Sequence, residues 1–132
     1  DEILKTYFNN TRPVGGNNLT LKLFTNNLTP LDTHTAGSFT EATGGGYAAK
    51  TLTNGSWTVT VANDPSDAVY AQQTFTFTGP STTNPTIYGY MIVDGDGTLI
   101  LAELFAQSFT PANNGDTIQL TPKVQMSKGT PS

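Results

Sequence analysis

The side chains of this chain that could do chemistry are few. It has one histidine, His34, and no cysteine. His34 stands in the polar stretch Asp32-Thr33-His34-Thr35. A zinc site needs several His or Cys ligands, and a Ser or Thr nucleophile needs a base held by a third group. One imidazole with no second His or Cys makes neither constellation, so His34 reads as a contact or solvated loop residue. Glu2, Glu41, Glu103 and the aspartates could pair across a cleft for glycoside hydrolysis, chemistry that depends on a separation in space. An enzyme of that kind would offer more carboxylates and aromatics. Asp94-Gly95-Asp96-Gly97 opens like a calcium loop. Counted from Asp94, position six is Leu99 and position twelve is Phe105, where an EF-hand requires Gly and Glu. A hairpin turn is the better reading. Gly44-Gly45-Gly46 lacks the strand-loop-helix setting and the Lys-Ser/Thr pair of a phosphate loop. It reads as a turn or a place of close backbone approach. The expectation is a chain with no catalytic residue, metal or cofactor.

The remaining chemistry is neutral and polar. Charged residues make up 12% of the chain, against about 25% in an average soluble protein. Threonine (24) and asparagine (11) take their place. The Thr-x-Thr pairs at Thr51/Thr53, Thr58/Thr60 and Thr74/Thr76/Thr78 put threonines on one strand face. Their flanks show no repeat, so β-propensity on solvated faces explains them better than an ice-binding ladder. Four Asn-x-Ser/Thr matches, at Asn9, Asn18, Asn27 and Asn54, are what such a composition makes by chance. Trp57 with Tyr47, Tyr70, Tyr88 and Tyr90 could make a sugar-stacking platform. Trp57 shares its face with Val59 and Val61, which favours a core anchor. Net charge is −4 and the six basic residues are scattered, which argues against a phosphate-backbone partner. No apolar run approaches the ~20 residues of a spanning helix. Asp1-Glu2-Ile3-Leu4 shows no basic region ahead of an apolar stretch, so no signal peptide is expected there.

The elements that must position these residues are strands. At 132 residues one domain is expected, able to bury roughly 68% of its unfolded surface without disulfides. Residues 1–8 differ from the rest: Ile3, Leu4, Tyr7 and Phe8 form a helical stripe behind Asp1 and Glu2. So short a helix must dock, either on its own core or on a neighbouring subunit. Asn9 to Asn18 is a loop with Pro13 and Gly15-Gly16 as breakers. Alternation then predicts strands at Leu19–Phe24, Phe39–Ala42, Tyr47–Leu52, Trp57–Val61, Val69–Thr78 (the longest), Ile87–Val93 and Thr98–Glu103. Further strand lies around Ile118–Leu120 and Val124–Met126, and Leu104–Pro111 is expected to be irregular. Asn54-Gly55, Asp94–Gly97 and Asn114-Gly115-Asp116 are turns. On Ile87–Val93, Tyr88, Tyr90 and Ile92 oppose Ile87, Gly89, Met91 and Val93; both faces look apolar or aromatic, as in a central strand or one covered by a partner. The expected core is Leu21, Leu23, Trp57, Val59, Phe75, Phe77, Ile87, Met91, Ile118 and Leu120. About eight to ten short strands with frequent turns predict an all-β antiparallel β-sandwich, most simply a jelly-roll, over residues 19–126, with residues 127–132 a frayed tail.

Four segments together resemble small all-β virion structural proteins of tailed bacteriophages: LTLKLFTNNLTP (19–30), FTEATGGGY (39–47), TIYGYMIV (86–93) and NGDTIQLTP (114–122). The resemblance covers most of the chain from Leu19 to Met126. It implies a capsid decoration (cement) protein on the capsid surface of a virion, binding the major capsid protein and often homotrimeric, with no catalytic residue to carry over. A carbohydrate- or receptor-binding module of a phage tail is the alternative. Candidate interface residues are Ile3, Leu4, Tyr7, Phe8, His34, Tyr47, Tyr88 and Tyr90. Candidate contact loops are Asn26–Gly37, Thr43–Tyr47 and Gly79–Pro85, where polar residues and permissive backbone gather. No nucleic-acid or membrane partner is expected.

Overall fold

A computed structural model describes residues 18–31, 33–53, 56–60, 66–79 and 84–126. Nine strands run through these residues: β1 (Leu19–Phe24), β2 (Lys50–Leu52), β3 (Thr58–Thr60), β4 (Ser66–Val69), β5 (Gln73–Thr76), β6 (Ile87–Val93), β7 (Leu99–Phe109), β8 (Thr117–Leu120) and β9 (Lys123–Met126). Every pairing between them is antiparallel. They form a four-stranded sheet β2-β1-β6-β7, a three-stranded sheet β3-β4-β9 and a two-stranded sheet β5-β8. One 3-10 turn, Ala36–Ser38, is the helical element among the described residues. The all-β antiparallel expectation therefore holds. The helical stripe of Ile3, Leu4, Tyr7 and Phe8, the Asn54-Gly55 turn and the 127–132 tail lie outside the described residues.

Alternation in β1 explains the core. Leu19, Leu21 and Leu23 point to one face and join Leu52, Trp57, Ala68, Phe75, Phe77, Ile87 and Ile92 in a cluster fed by all three sheets. Phe24 points to the other face and joins Phe39, Met91 and Val93 in a second cluster. The four-stranded sheet is thus apolar on both faces. Its inner face meets the two smaller sheets. Its outer face is covered by the loop after β1, through Leu28, Ala36 and Phe39. Phe24 and Phe39 rings lie 4.7 Å apart, with His34 edge-on to Phe39 at 5.7 Å.

Several expectations need correction. The Val69–Thr78 strand is two strands, β4 and β5, broken at Tyr70–Gln72. The Tyr70 amide donates to Pro122 O (2.9 Å) and its ring packs edge-on against Trp57 at 5.2 Å. That anchoring turns the chain from one sheet into another, and leaves Ala71 exposed. The longest strand is β7, eleven residues, which continues through the stretch expected to be irregular. It pairs with β6 along Leu101–Leu104 and again at Phe109, with a register shift between the Ile87–Phe109 and Gly89–Leu104 pairs. That shift also changes the faces of β6. Tyr90 and Ile92 share the inner face with Ile87, while Tyr88 shares the outer face with Met91 and Val93. Gly89 sits at the shift, where a Cβ would meet Glu103 O and come within 2.5 Å of Phe24 Cζ. Tyr47–Leu52 shortens to β2, and Phe39–Ala42 to a single bridge, Phe24 to Glu41. Ile118 and Leu120 are half-buried at the margin of the main cluster, because the two-stranded sheet that carries them ends there.

Candidate functional site

The most distinctive surface is built where the loop after β1 meets β7. Asn26 fixes the base of this loop. Its Nδ2 donates to Ser38 O (3.0 Å), and its Oδ1 accepts from the Thr40 amide (2.8 Å). One amide side chain thereby does the work of a strand pair, an ability particular to Asn and Gln. At the tip, His34 closes a small turn. Its Nδ1 accepts from the Leu31 amide, and its own amide donates to Leu31 O, both at 3.0 Å. The turn holds Leu31 outward at 60% exposure. Pro30, Leu31 and His34 face Leu99–Ala102 of β7 across an open groove of about 380 Å3. Lone exposed leucines are ordinary. This one differs because it is held against an apolar strand at a sheet edge.

A second polar cluster joins two of the three candidate loops. Asn84, 7% exposed, accepts from the Gly45 amide (3.0 Å) and donates to Thr78 O (2.8 Å) and Pro111 O (3.3 Å). Gly45 and Gly46 pack against Thr76–Thr78 and Gly44 against Asn84 and Pro85, and Thr78 N donates to Gly45 O (3.0 Å). Gly46 has φ +78°, and a Cβ there would lie 2.7 Å from Thr76 O. The close-approach reading of these glycines is correct. Nearby, Asp116 Oδ2 accepts from the Ala112 and Asn113 amides at 2.9 Å each. Those two bonds hold its carboxyl below the usual carboxylate range. The Asp94 sequence is a turn, with Asp94 Oδ1 accepting from Asp96 N and Thr98 N at 2.9 Å each.

Of the candidate interface residues, His34 lines the groove. Tyr88 is half-buried in the outer cluster. Tyr90 is half-buried on the inner face, its ring 6.0 Å from Phe105. Tyr47 stacks 6.0 Å from Phe75. Its hydroxyl accepts from the Leu23 amide (3.3 Å) and donates to Glu41 Oε2 (2.9 Å), while Lys22 Nζ lies 3.5 Å from Glu41 Oε1. β2 pairs with β1 only at Leu19–Leu21, so the Tyr47 hydroxyl takes the place of a strand partner for Leu23. The four described candidates are therefore split between the two faces of one sheet. Ile3, Leu4, Tyr7 and Phe8 lie outside the described residues. Trp57 is 4% exposed, which removes the largest ring from any sugar platform. No group of three or more His, Asp or Glu stands together among the described residues. Asn26, Asn84 and Leu31 were not singled out by sequence. Each looks like its neighbours there, and only contacts distant in sequence distinguish it.

Tyr47 and Tyr90 have raised pKa values. Burial is the main cause at each, reinforced by Glu41 at Tyr47 and by Glu103 at Tyr90. A group whose folded pKa lies above its unfolded value of about 10 contributes stability that is fully present below that value. Stability is therefore expected to fall as pH rises above about 10. Tyr47→Phe removes part of this dependence. It also leaves the buried Leu23 amide without a partner, at a cost of about 1–3 kcal/mol. Urea unfolding at pH 8 and pH 10.5 measures both effects. An unchanged midpoint at pH 8 would contradict the bridging role of Tyr47. Comparison with protein-family models, curated proteins and solved structures finds no match to this chain.

Proposed function

We propose that this chain is a non-catalytic virion structural protein of a tailed bacteriophage, a capsid decoration protein that bridges and stabilises major capsid subunits on the capsid surface. The observation that carries the reading is the loop after β1. Its base is tied by Asn26, its tip is closed by His34, and it presents Leu31 from a polar rim. A cement protein binds a repeated site by shape, and a loop already held in place loses little entropy on docking. Neutral Thr and Asn surfaces also form hydrogen bonds that salt does not screen as it does exposed ion pairs. The segment-level resemblance points the same way, and with it come a jelly-roll sandwich and a homotrimer as parts of this proposal.

The mechanism is mass action. A ligand that binds only the assembled shell stabilises it by RT ln(1 + [L]/Kd), about 2.7 kcal/mol per site at a hundredfold excess over Kd. The test strips the protein from particles, measures shell melting, and adds it back. Decorated shells should melt higher, and Leu31→Asp should weaken the rebinding. If stripped and decorated shells melt alike, or the protein maps to a tail tip, the receptor-binding alternative takes over.

A further inference from the structure

Several loops of this chain are fastened by side chains that accept backbone N–H groups. Asn26 Oδ1 takes the Thr40 amide and Asn84 Oδ1 the Gly45 amide. The carboxylates of Asp94 and Asp116 each take two amides of their own turns. Side-chain amides do not titrate, and aspartates ordinarily stay ionised between about pH 5 and 8. The turn from Leu31 to His34 uses a different acceptor, the imidazole Nδ1, 3.0 Å from the Leu31 nitrogen. Histidine is the side chain whose charge ordinarily changes in that same range.

A backbone N–H only donates, so the Nδ1 that receives it carries no proton, and the proton of the neutral ring sits on Nε2. Adding a proton at Nδ1 turns the acceptor into a donor. Two N–H groups then face each other across 3.0 Å, and one must move away. The companion bond, from the His34 amide to Leu31 O, is backbone and does not titrate. The response is bounded on both sides. Before the turn, Leu28 packs against the outer cluster. After it, Thr35 N donates to Ser38 Oγ (3.1 Å), and Asn26 Nδ2 holds Ser38 O. What responds is the tip that carries Leu31.

We infer that His34 is a proton-operated latch: neutral, it holds Leu31 outward; protonated, it releases the Leu31 amide and with it the fixed position of that side chain. The ring lies edge-on to Phe39 and lines the groove with Pro30 and Leu99–Ala102, none of which titrates. The carboxylates next in sequence on those two elements are engaged elsewhere, Glu41 with the Tyr47 hydroxyl and Lys22, and Glu103 with Tyr90. Asp32 lies outside the described residues. An ordinary aspartate titrates near about pH 3.9, below the range in which the latch works. The latch governs how Leu31 is offered to any partner. It does not rest on a virion role, so it can fail or succeed separately.

Nitrogen NMR of the unsubstituted full chain reads the latch directly. At about pH 8 His34 should be the Nε2–H tautomer, with a nitrogen–nitrogen coupling between Leu31 N and His34 Nδ1 across the hydrogen bond. At about pH 5 that coupling should be lost, and the Leu31 amide shift should move in step with the imidazole titration. His34→Asn is the locked control, because Asn Oδ1 stands as many bonds from the backbone as Nδ1 and does not titrate. Its Leu31 amide shift should stay flat between the two conditions. An Nδ1–H tautomer in the alkaline sample overturns the inference. So does a Leu31 amide that ignores the imidazole titration, or one that moves as far in the His34→Asn protein as in the unsubstituted chain.

Discussion

Replacing Trp57 with alanine should lower the unfolding free energy by about 3–5 kcal/mol, the range for deleting a large buried aromatic. Trp57 is 4% exposed, stands in the cluster shared by all three sheets, and packs edge-on against Tyr70. Tyr70 in turn is tied to the chain by its hydroxyl, which accepts from the Thr53 amide at 3.0 Å. The substitution opens a cavity at the junction where the chain passes from β4 to β5, and the sheets cannot close over it without moving both strands. Native stabilities are typically about 5–15 kcal/mol, so a large share of the total is lost. Equilibrium urea unfolding followed by far-UV circular dichroism measures the change. A loss under about 1 kcal/mol, the ordinary size for a point mutant, would mean that the cavity is absent and Trp57 is a surface ring.

Asn84→Ala is the second large effect. The side chain satisfies one amide and two carbonyls, on Gly45, Thr78 and Pro111. Each buried group left without a partner costs about 1–3 kcal/mol, and with water reaching the partly exposed Gly45 amide the sum is about 3 kcal/mol. Asn84→Asp discriminates the mechanism. The carboxylate keeps the bond from Gly45 N but faces Thr78 O and Pro111 O with no proton to offer. At neutral pH it should be at least as damaging as alanine. Below the ordinary carboxylate range it gains a proton, can donate to one carbonyl, and should recover part of the loss. Thermal melts of the three proteins at pH 7 and about pH 3, below the ordinary Asp value of about 3.9, decide this. Equal melting temperatures for the aspartate and unsubstituted proteins at pH 7 would remove the donor role from Asn84.

Much of the local structure is legible in the residues themselves. Leu19, Leu21 and Leu23 alternate with polar neighbours and form a strand with one buried face. Ile87–Val93 is apolar on both faces and sits in the middle of its sheet. Asp94–Gly97 and Asn114–Asp116 turn the chain because Asp, Asn and Gly stabilise tight backbone geometries locally. These signals act over two to five residues, which is why composition and alternation expose them.

The division of Val69–Thr78, the length of β7 and the faces of β6 depend on other things. Val69–Thr78 alternates well enough for one strand, yet Pro122 O and the Trp57 ring hold Tyr70 and redirect the chain. Leu104–Phe109 has no clean alternation, and it belongs to the strand because β6 pairs with its two ends, Leu104 and Phe109. The same holds at the candidate site. Asn26, Asn84 and Leu31 are three ordinary residues until the chain brings Thr40, Gly45 and β7 against them. The amino-acid sequence by itself determined an all-β antiparallel protein, several of its turns and part of its core, including Leu21, Leu23, Trp57, Phe75, Phe77 and Ile87, because strand propensity, alternation and turn chemistry are local. Only the tertiary structure decided which faces meet, which asparagines bridge loops and where the strands change partners, because those outcomes depend on contacts between segments tens of residues apart.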